Sequence, residues 1–244
     1  MPNPTAAMIT IGDEILSGRT RDANLPHLAE ALAERGIALR EARVVSDITD
    51  EIVAAVNALR GRYTHVFTSG GIGPTHDDIT ADAIASAFGV PIDVREDARA
   101  ILATNYANPE VELNEARLRM ARIPDGATLI DNPVSKAPGF TLGNVHVMAG
   151  VPAVFQAMLA GLLPTLTGGR PLLSESVRID RPEGEIAGPL RTVAEAHPAV
   201  AIGSYPFNRD GRFGANVVAR SDDPDALAAA AAALTALARA LNRG

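Results

Sequence analysis

Three β-prone runs separated by two helical stripes open the chain, and this order limits what it can fold into. AAMITI, Ala6 to Ile11, is apolar and ends at Gly12-Asp13-Glu14. Leu25, Leu28, Ala29 and Leu32 then recur at i, i+3, i+4 and i+7, behind Asn24, which reads as the helix cap, and Pro26 in the first turn. Gly36 stops that stripe. Ala38 to Val45 is a second strand, a helix opening at Thr49 or Asp50 carries Ile52, Val56 and Leu59, and Thr64 to Ser69 is a third strand. Strands that are apolar without alternation are buried on both faces, so the pattern predicts an α/β fold with a mainly parallel sheet covered by helices. The loops that leave such strands collect at one edge, which is where open α/β sheets bind ligands.

The pattern continues with a stripe of Ile79, Ala83, Ile84 and Ala87 that Gly89 and Pro91 end. Helices are expected over about Glu96 to Ala107 and Asn114 to Arg122, followed by a short strand from Ala127 to Ile130. Phe140 to Leu142 and Val145 to Met148 form a hairpin turning at Gly143-Asn144, and VPAVFQAMLAGLLP continues as a helix. Thr167-Gly168-Gly169-Arg170-Pro171 reads as a boundary between residues 1–168 and a small β-α-β-β-α segment, residues 169–244.

Composition narrows the chemistry. The chain has no cysteine, which removes thiolate nucleophiles and cysteine-ligated zinc, and its five histidines include no H-x-x-x-H pair. A formal charge of −7 argues against a nucleic-acid surface, because phosphate-backbone binding uses clustered Lys and Arg. No leader is expected at the amino end. No apolar run is expected to reach membrane length either, since Asp222, Asp223, Asp225 and Arg239 interrupt the alanine-rich tail. The expectation is a cytoplasmic protein without membrane or nucleic-acid partners.

The chemistry concentrates in TSGGIGPTHDDIT, Thr68 to Thr80. Gly70, Gly71 and Gly73 can take φ > 0, so successive N–H groups can face an oxygen-rich ligand beside a helix N-terminus. Ser69, Thr75 and Thr80 add hydroxyls to that binding set, and Gly12 faces it from the first strand. The spacing fits neither G-x-x-x-x-G-K-[ST] nor G-x-G-x-x-G. Asp77 and Asp78 are helix caps or metal ligands. Two like charges about 4 Å apart at an effective dielectric of about 20 repel by about 4 kcal/mol, so acids beside an anion site call for a divalent cation such as Mg²⁺. Asp13, Glu14 and Asp47 follow strands at the same edge and are turn residues or further acids of that site. In NPVSKAPGF, Ser135, Lys136 and Gly139 form a third candidate contact, held between Pro133 and Pro138; Lys136 is the chain's one lysine.

Taken in order, ITIGDEILSG, DANLPHLAEALAERG, VVSDITDEI, TSGGIGPTHDDIT, NPVSKAPGF and VMAGVP resemble the molybdopterin-binding (MoaB/Mog-like) domain family. The likeness is to the form that begins competence/damage-inducible protein A (CinA) and precedes bifunctional FAD synthases, and it covers about residues 5–165. The resemblance implies a three-layer α/β/α sandwich, a homo-oligomer (dimer or trimer), and a pocket for a nucleotide or pterin diphosphate. It assigns catalytic roles to Asp47 and Asp78 and metal contacts to Asp13, Glu14, Asp77 and Asp78. The function it implies is a metal-dependent pyrophosphatase of the ADP-ribose or FAD class. Two alternatives are a molybdenum cofactor biosynthesis protein that binds or adenylylates molybdopterin, and a ligand-binding module without turnover. Ser135-Lys136 stands where many CinA sequences read Gly-Thr, and with the chain ending at Gly244 no nicotinamide mononucleotide deamidation is expected.

Overall fold

Along β1 (Thr5–Ile11), Ala7, Ile9 and Ile11 enter one hydrophobic cluster while Ala6 and Met8 enter another. A strand buried on both sides must lie inside a sheet with helices above and below. The computed structural model, which describes residues 3–209 and 211–242, has this arrangement. The extreme ends of the two expected segments, residues 1–2 and 243–244, lie outside the described residues.

The chain continues through α1 (Asp13–Leu16), α2 (Asn24–Glu34), β2 (Ala38–Val45), α3 (Thr49–Arg60), β3 (His65–Ser69) and α4 (Thr80–Phe88). Next come β4 (Ile92–Val94), α5 (Glu96–Ala103), α6 (Pro109–Glu112), α7 (Glu115–Leu118), β5 (Arg122–Pro124) and β6 (Thr128–Ile130). The hairpin β7 (Gly139–Leu142) and β8 (Val145–Met148) leads into α8 (Pro152–Leu162). Six strands form one sheet in the order β2-β1-β3-β8-β7-β6, with β2, β1, β3 and β8 parallel and β7 antiparallel to both neighbours. Ile52, Val56 and Leu59 of α3, Ile84 of α4 and Leu102 of α5 pack on one face. Leu28 and Leu32 of α2, with Phe155, Met158 and Leu159 of α8, pack on the other. Each such side chain removed from water contributes about 1.5–3 kcal/mol, and this burial on both faces defines the three layers.

Local differences from the sequence reading have physical causes. Helix α2 is not capped by Asn24; Asp22 Oδ1 accepts from the N–H groups of Asn24 and Leu25, which frees the Asn24 side chain for another use. The expected helix over residues 96–107 stops at Ala103, where the Thr104 hydroxyl donates to the Ile101 carbonyl. Residues 114–122 do not form one helix. Asn114 caps the single turn α7, and Arg122–Pro124 then extends to pair with Ile92–Val94, a tertiary ladder that overrides local helical preference.

The chain divides into two compact units, Met1–Gly169 and Arg170–Gly244. The second contains β9 (Leu173–Ile179), α9 (Glu183–Ala196), β10 (Ala201–Arg209), β11 (Arg212–Ser221) and α10 (Pro224–Asn242), with an antiparallel sheet in the order β10-β11-β9. Ile179, Ile186, Val217, Leu227 and Leu234 form its core. One expectation is corrected here: Pro224–Leu241 of α10 has a mean hydropathy of 1.3 over 18 residues and is long and apolar enough to cross a membrane. Its alanines outweigh Asp225 and Arg239. Leu227, Ala230, Leu234 and Ala238 of this helix are buried in the unit's own core.

Candidate functional site

The site begins with the exit from β3. Gly70 has φ +110 and Gly71 φ +69, and a Cβ on Gly70 would lie 2.2 Å from the Ile11 carbonyl oxygen. A Cβ on Gly71 would meet the Thr80 hydroxyl. That hydroxyl, fully buried, donates to the Gly70 carbonyl at 2.9 Å, and the Thr80 N–H donates to the Gly71 carbonyl at 3.0 Å, so the first turn of α4 staples the loop. Gly73, expected to share the positive φ, does not; it is a glycine because the Asp78 carboxylate lies where its Cβ would be, 2.6 Å away. Gly70→Ala is expected to lower stability by about 2–3 kcal/mol in urea unfolding, since strain in the backbone adds to a clash with main chain that cannot swing aside.

The acids gather around this loop. Asp78 Oδ2 accepts from the Thr75 N–H at 2.8 Å and the Thr75 hydroxyl at 2.5 Å, which leaves Oδ1 without a local donor. Asp47, after β2, accepts the Asp13 N–H on Oδ2 at 3.0 Å. Burial raises the Asp47 pKa above the usual carboxylate range, the Asp13 N–H opposes that, and the like charges of Asp13, Glu14 and Asp77 push it further up. Glu14 folds back over Gly12, where a Cβ would be 2.6 Å from its Oε2.

These loops line a cleft of about 570 Å³ at the carboxyl edge of the parallel strands. Gly12, Glu14, Asp47, Gly70, Gly71, Gly73, Asp77, Asp78 and Ser135 face it, together with an apolar stretch that includes Met120, Ala137 and Val154. Ser69, Thr75, Thr80, Lys136, Gly139 and Asp13 are outside its lining. Ser69 and Thr80 are buried supports, and Gly139 sits inside β7 where a Cβ would meet the Val147 carbonyl oxygen at 2.2 Å. Lys136 is the non-glycine residue with a positive φ, +60, among the described residues. Four carboxylates and no lysine or arginine line the cleft, so a bare anionic ligand would meet like charge there. No three described His, Asp or Glu side chains converge into a ready-made metal cage. That donor set fits a hard cation such as Mg²⁺, which keeps waters and takes one or two carboxylates plus ligand oxygens.

Two asparagines organise the rim, and neither role is evident from sequence. Asn24, 3% exposed, donates from Nδ2 to Ser69 Oγ and to the Gly150 carbonyl, both at 2.8 Å, joining the ends of three segments. Asn132, 1% exposed, donates to Ser135 Oγ and the Ala137 carbonyl and accepts the N–H groups of Val134 and Ser135. All four of its hydrogen-bonding positions are used, which stiffens the loop more than the flanking prolines alone. Gly150 comes within 3.2 Å of Gly70 Cα measured from an added Cβ, so two backbones meet there face to face.

Residues 7–168 match the family described as "Probable molybdopterin binding domain", about two thirds of the chain. The chain belongs to this family. Residues 171–241 of this molybdopterin-binding-domain protein match a second family, "FAD synthase, middle domain". It is 36% identical over 212 residues to a protein of Pyrobaculum calidifontis, covering 83% of this chain and 81% of that one. It is also 31% identical over 219 residues to a protein of Aeropyrum pernix, covering 84% and 80%. Among solved structures it is similar to the protein CinA of Thermoplasma acidophilum, described as of unknown function, with a TM-score of 0.63 and 35% identity over 68% of this chain and 99% of that one. The fold and the resemblance read from the sequence are thereby established.

Proposed function

We propose that the cleft binds the diphosphate of a nucleotide or pterin as a complex with a divalent metal and hydrolyses the pyrophosphate bond, in the manner of an ADP-ribose or FAD pyrophosphatase. The observation that carries this reading is the meeting, in one cleft, of the glycine loop with Glu14, Asp47, Asp77 and Asp78. Backbone N–H groups of the loop and the N-terminus of α4 suit phosphate oxygens. The metal, held by Asp78 Oδ1 with Asp77 or Glu14, would neutralise charge and polarise a phosphoryl oxygen. Asp47 offers Oδ1 to the attacking water and accepts its proton there, a task that its raised pKa favours. The water oxygen forms a bond to one phosphorus as the bridging P–O bond breaks, and the second phosphate leaves with the bond's electrons. The apolar stretch around Met120 and Val154 would take the ligand's ring system.

Calorimetric titration with ADP-ribose, FAD, ATP and molybdopterin, each with and without Mg²⁺, tests the reading, with phosphate release by a coupled phosphatase as the turnover assay. Metal-dependent binding with release from ADP-ribose or FAD is expected. Equal affinity with and without metal overturns it. The family match favours a second reading in which molybdopterin is bound or adenylylated; uptake of molybdopterin alone would select that reading. Binding without turnover would leave a ligand-binding module. A homo-oligomer, dimer or trimer, is part of the proposal: Leu16, Val44 and Ile48 are 53%, 43% and 51% exposed, Val44 on edge strand β2. Sedimentation as a monomer would remove it.

A further inference from the structure

A second cavity of about 10 Å³, with room for about one water, shares Gly71, Gly73 and Asp78 with the large cleft. Its wall also carries Arg119 and Arg122, and the two guanidinium groups are treated differently. Arg122 is neutralised by an ion pair between its Nη2 and Asp82 Oδ1. Arg119 has no carboxylate partner among the described residues. Its Nη2 donates to the main-chain carbonyl of Asp78 at 3.1 Å; its Nε, like that of Arg122, is buried with no acceptor among the described residues, so the ion pair is what separates the two. The nearby Asp78 carboxylate is turned to Thr75 instead.

A guanidinium keeps its charge at any pH at which a protein stays folded, so the glycine loop has against it one cation that no ion pair holds among the described residues. Leaving such a group partly desolvated and unpaired is unfavourable, and an anion arriving at the loop removes that penalty. The acids of the large cleft, by contrast, repel the same anion. We propose that Arg119 is the fixed counter-charge of the glycine loop. It is a positioning residue that grips Asp78 by its main chain and makes the loop favour a phosphate-type anion over a neutral group. The inference rests on the diphosphate reading above and adds the residue that tunes it.

The test is titration of the full chain with inorganic pyrophosphate in Mg²⁺ at several NaCl concentrations. Arg119→Gln is expected to weaken binding about tenfold and to flatten its salt dependence, because a through-space charge is lost. Arg119→Lys should restore most of the affinity, as charge rather than the forked shape is required. Wild-type affinity and salt slope in Arg119→Gln would overturn the inference, as would Arg119→Lys binding as weakly as Arg119→Gln, which would make the residue a loop support only. If Arg119→Gln does not fold, Arg119→Lys decides alone: retained affinity supports the inference and a tenfold loss overturns it. A wild-type chain that takes up no pyrophosphate would bring down the diphosphate reading itself, and this inference with it.

Discussion

Asp78→Asn is expected to melt within a degree or so of the wild type and yet lose at least about a hundredfold of its metal-dependent ligand binding. The two halves of that expectation come from the two oxygens. Oδ2 is committed to Thr75, accepting its N–H at 2.8 Å and its hydroxyl at 2.5 Å, and an amide oxygen can accept both in the same place. The position is half-buried at the cleft, and with both Thr75 bonds kept the change in charge costs the fold little. Oδ1 loses its negative charge in the variant, and a neutral amide is a poor ligand for a hard divalent cation. Thermal melting and calorimetry on the same sample separate the two effects. Unchanged binding would move the metal to Asp77 and Glu14.

A steep loss of stability in mild acid is the second large effect. His146 in β8 is 3% exposed, with Nε2 3.1 Å from His65 Nδ1, Nδ1 2.9 Å from the Thr141 hydroxyl, and the Phe67 ring against it. Burial, and then the charge of His65, lowers its pKa from 6.5 to about 3, and burial lowers that of His65 as well. The folded chain therefore refuses a proton that the unfolded chain accepts below pH 6.5, so stability must fall as the pH drops from 6.5 toward 3. At roughly 1.4 kcal/mol per pH unit the loss across that window is on the order of 4–5 kcal/mol, comparable with the whole stability of many domains. Urea unfolding at pH 7, 6 and 5 checks this before most carboxylates titrate. His146→Gln, which can still bond Thr141 but cannot be protonated, should be weaker at pH 7 and show a flatter slope. An unchanged slope would assign the acid sensitivity to other groups.

How much could be read in advance depended on whether a residue acts locally. The parallel sheet was legible because Ala6 to Ile11 has no polar alternation, and the position of the glycine loop followed from β3 preceding it. Asp13, Glu14 and Asp47 were placed at the right edge by strand direction alone. What was hidden arises between segments far apart in sequence. Asn24 reaches Ser69 and Gly150, 45 and 126 residues away, and no local pattern announces that. Arg119 lay in a stretch read as helix, and its meeting with the Asp78 carbonyl depends on the pairing of β4 with β5 that ends that helix early. Gly73 misled in the opposite sense: its residue type was read as backbone freedom, whereas the requirement is room for a neighbouring carboxylate.

The tie made by Asn24 also bears on how the rim responds to a guest. With one amide fastening the start of α2, the end of β3 and the turn before α8, these walls cannot rearrange one at a time, so their ordering is completed while the chain folds. Association should then resemble a key meeting a lock already cut, with little slow rearrangement after first contact. Severing that single amide would untie the start of α2 from the other two walls, which stay joined through the pairing of β3 with β8.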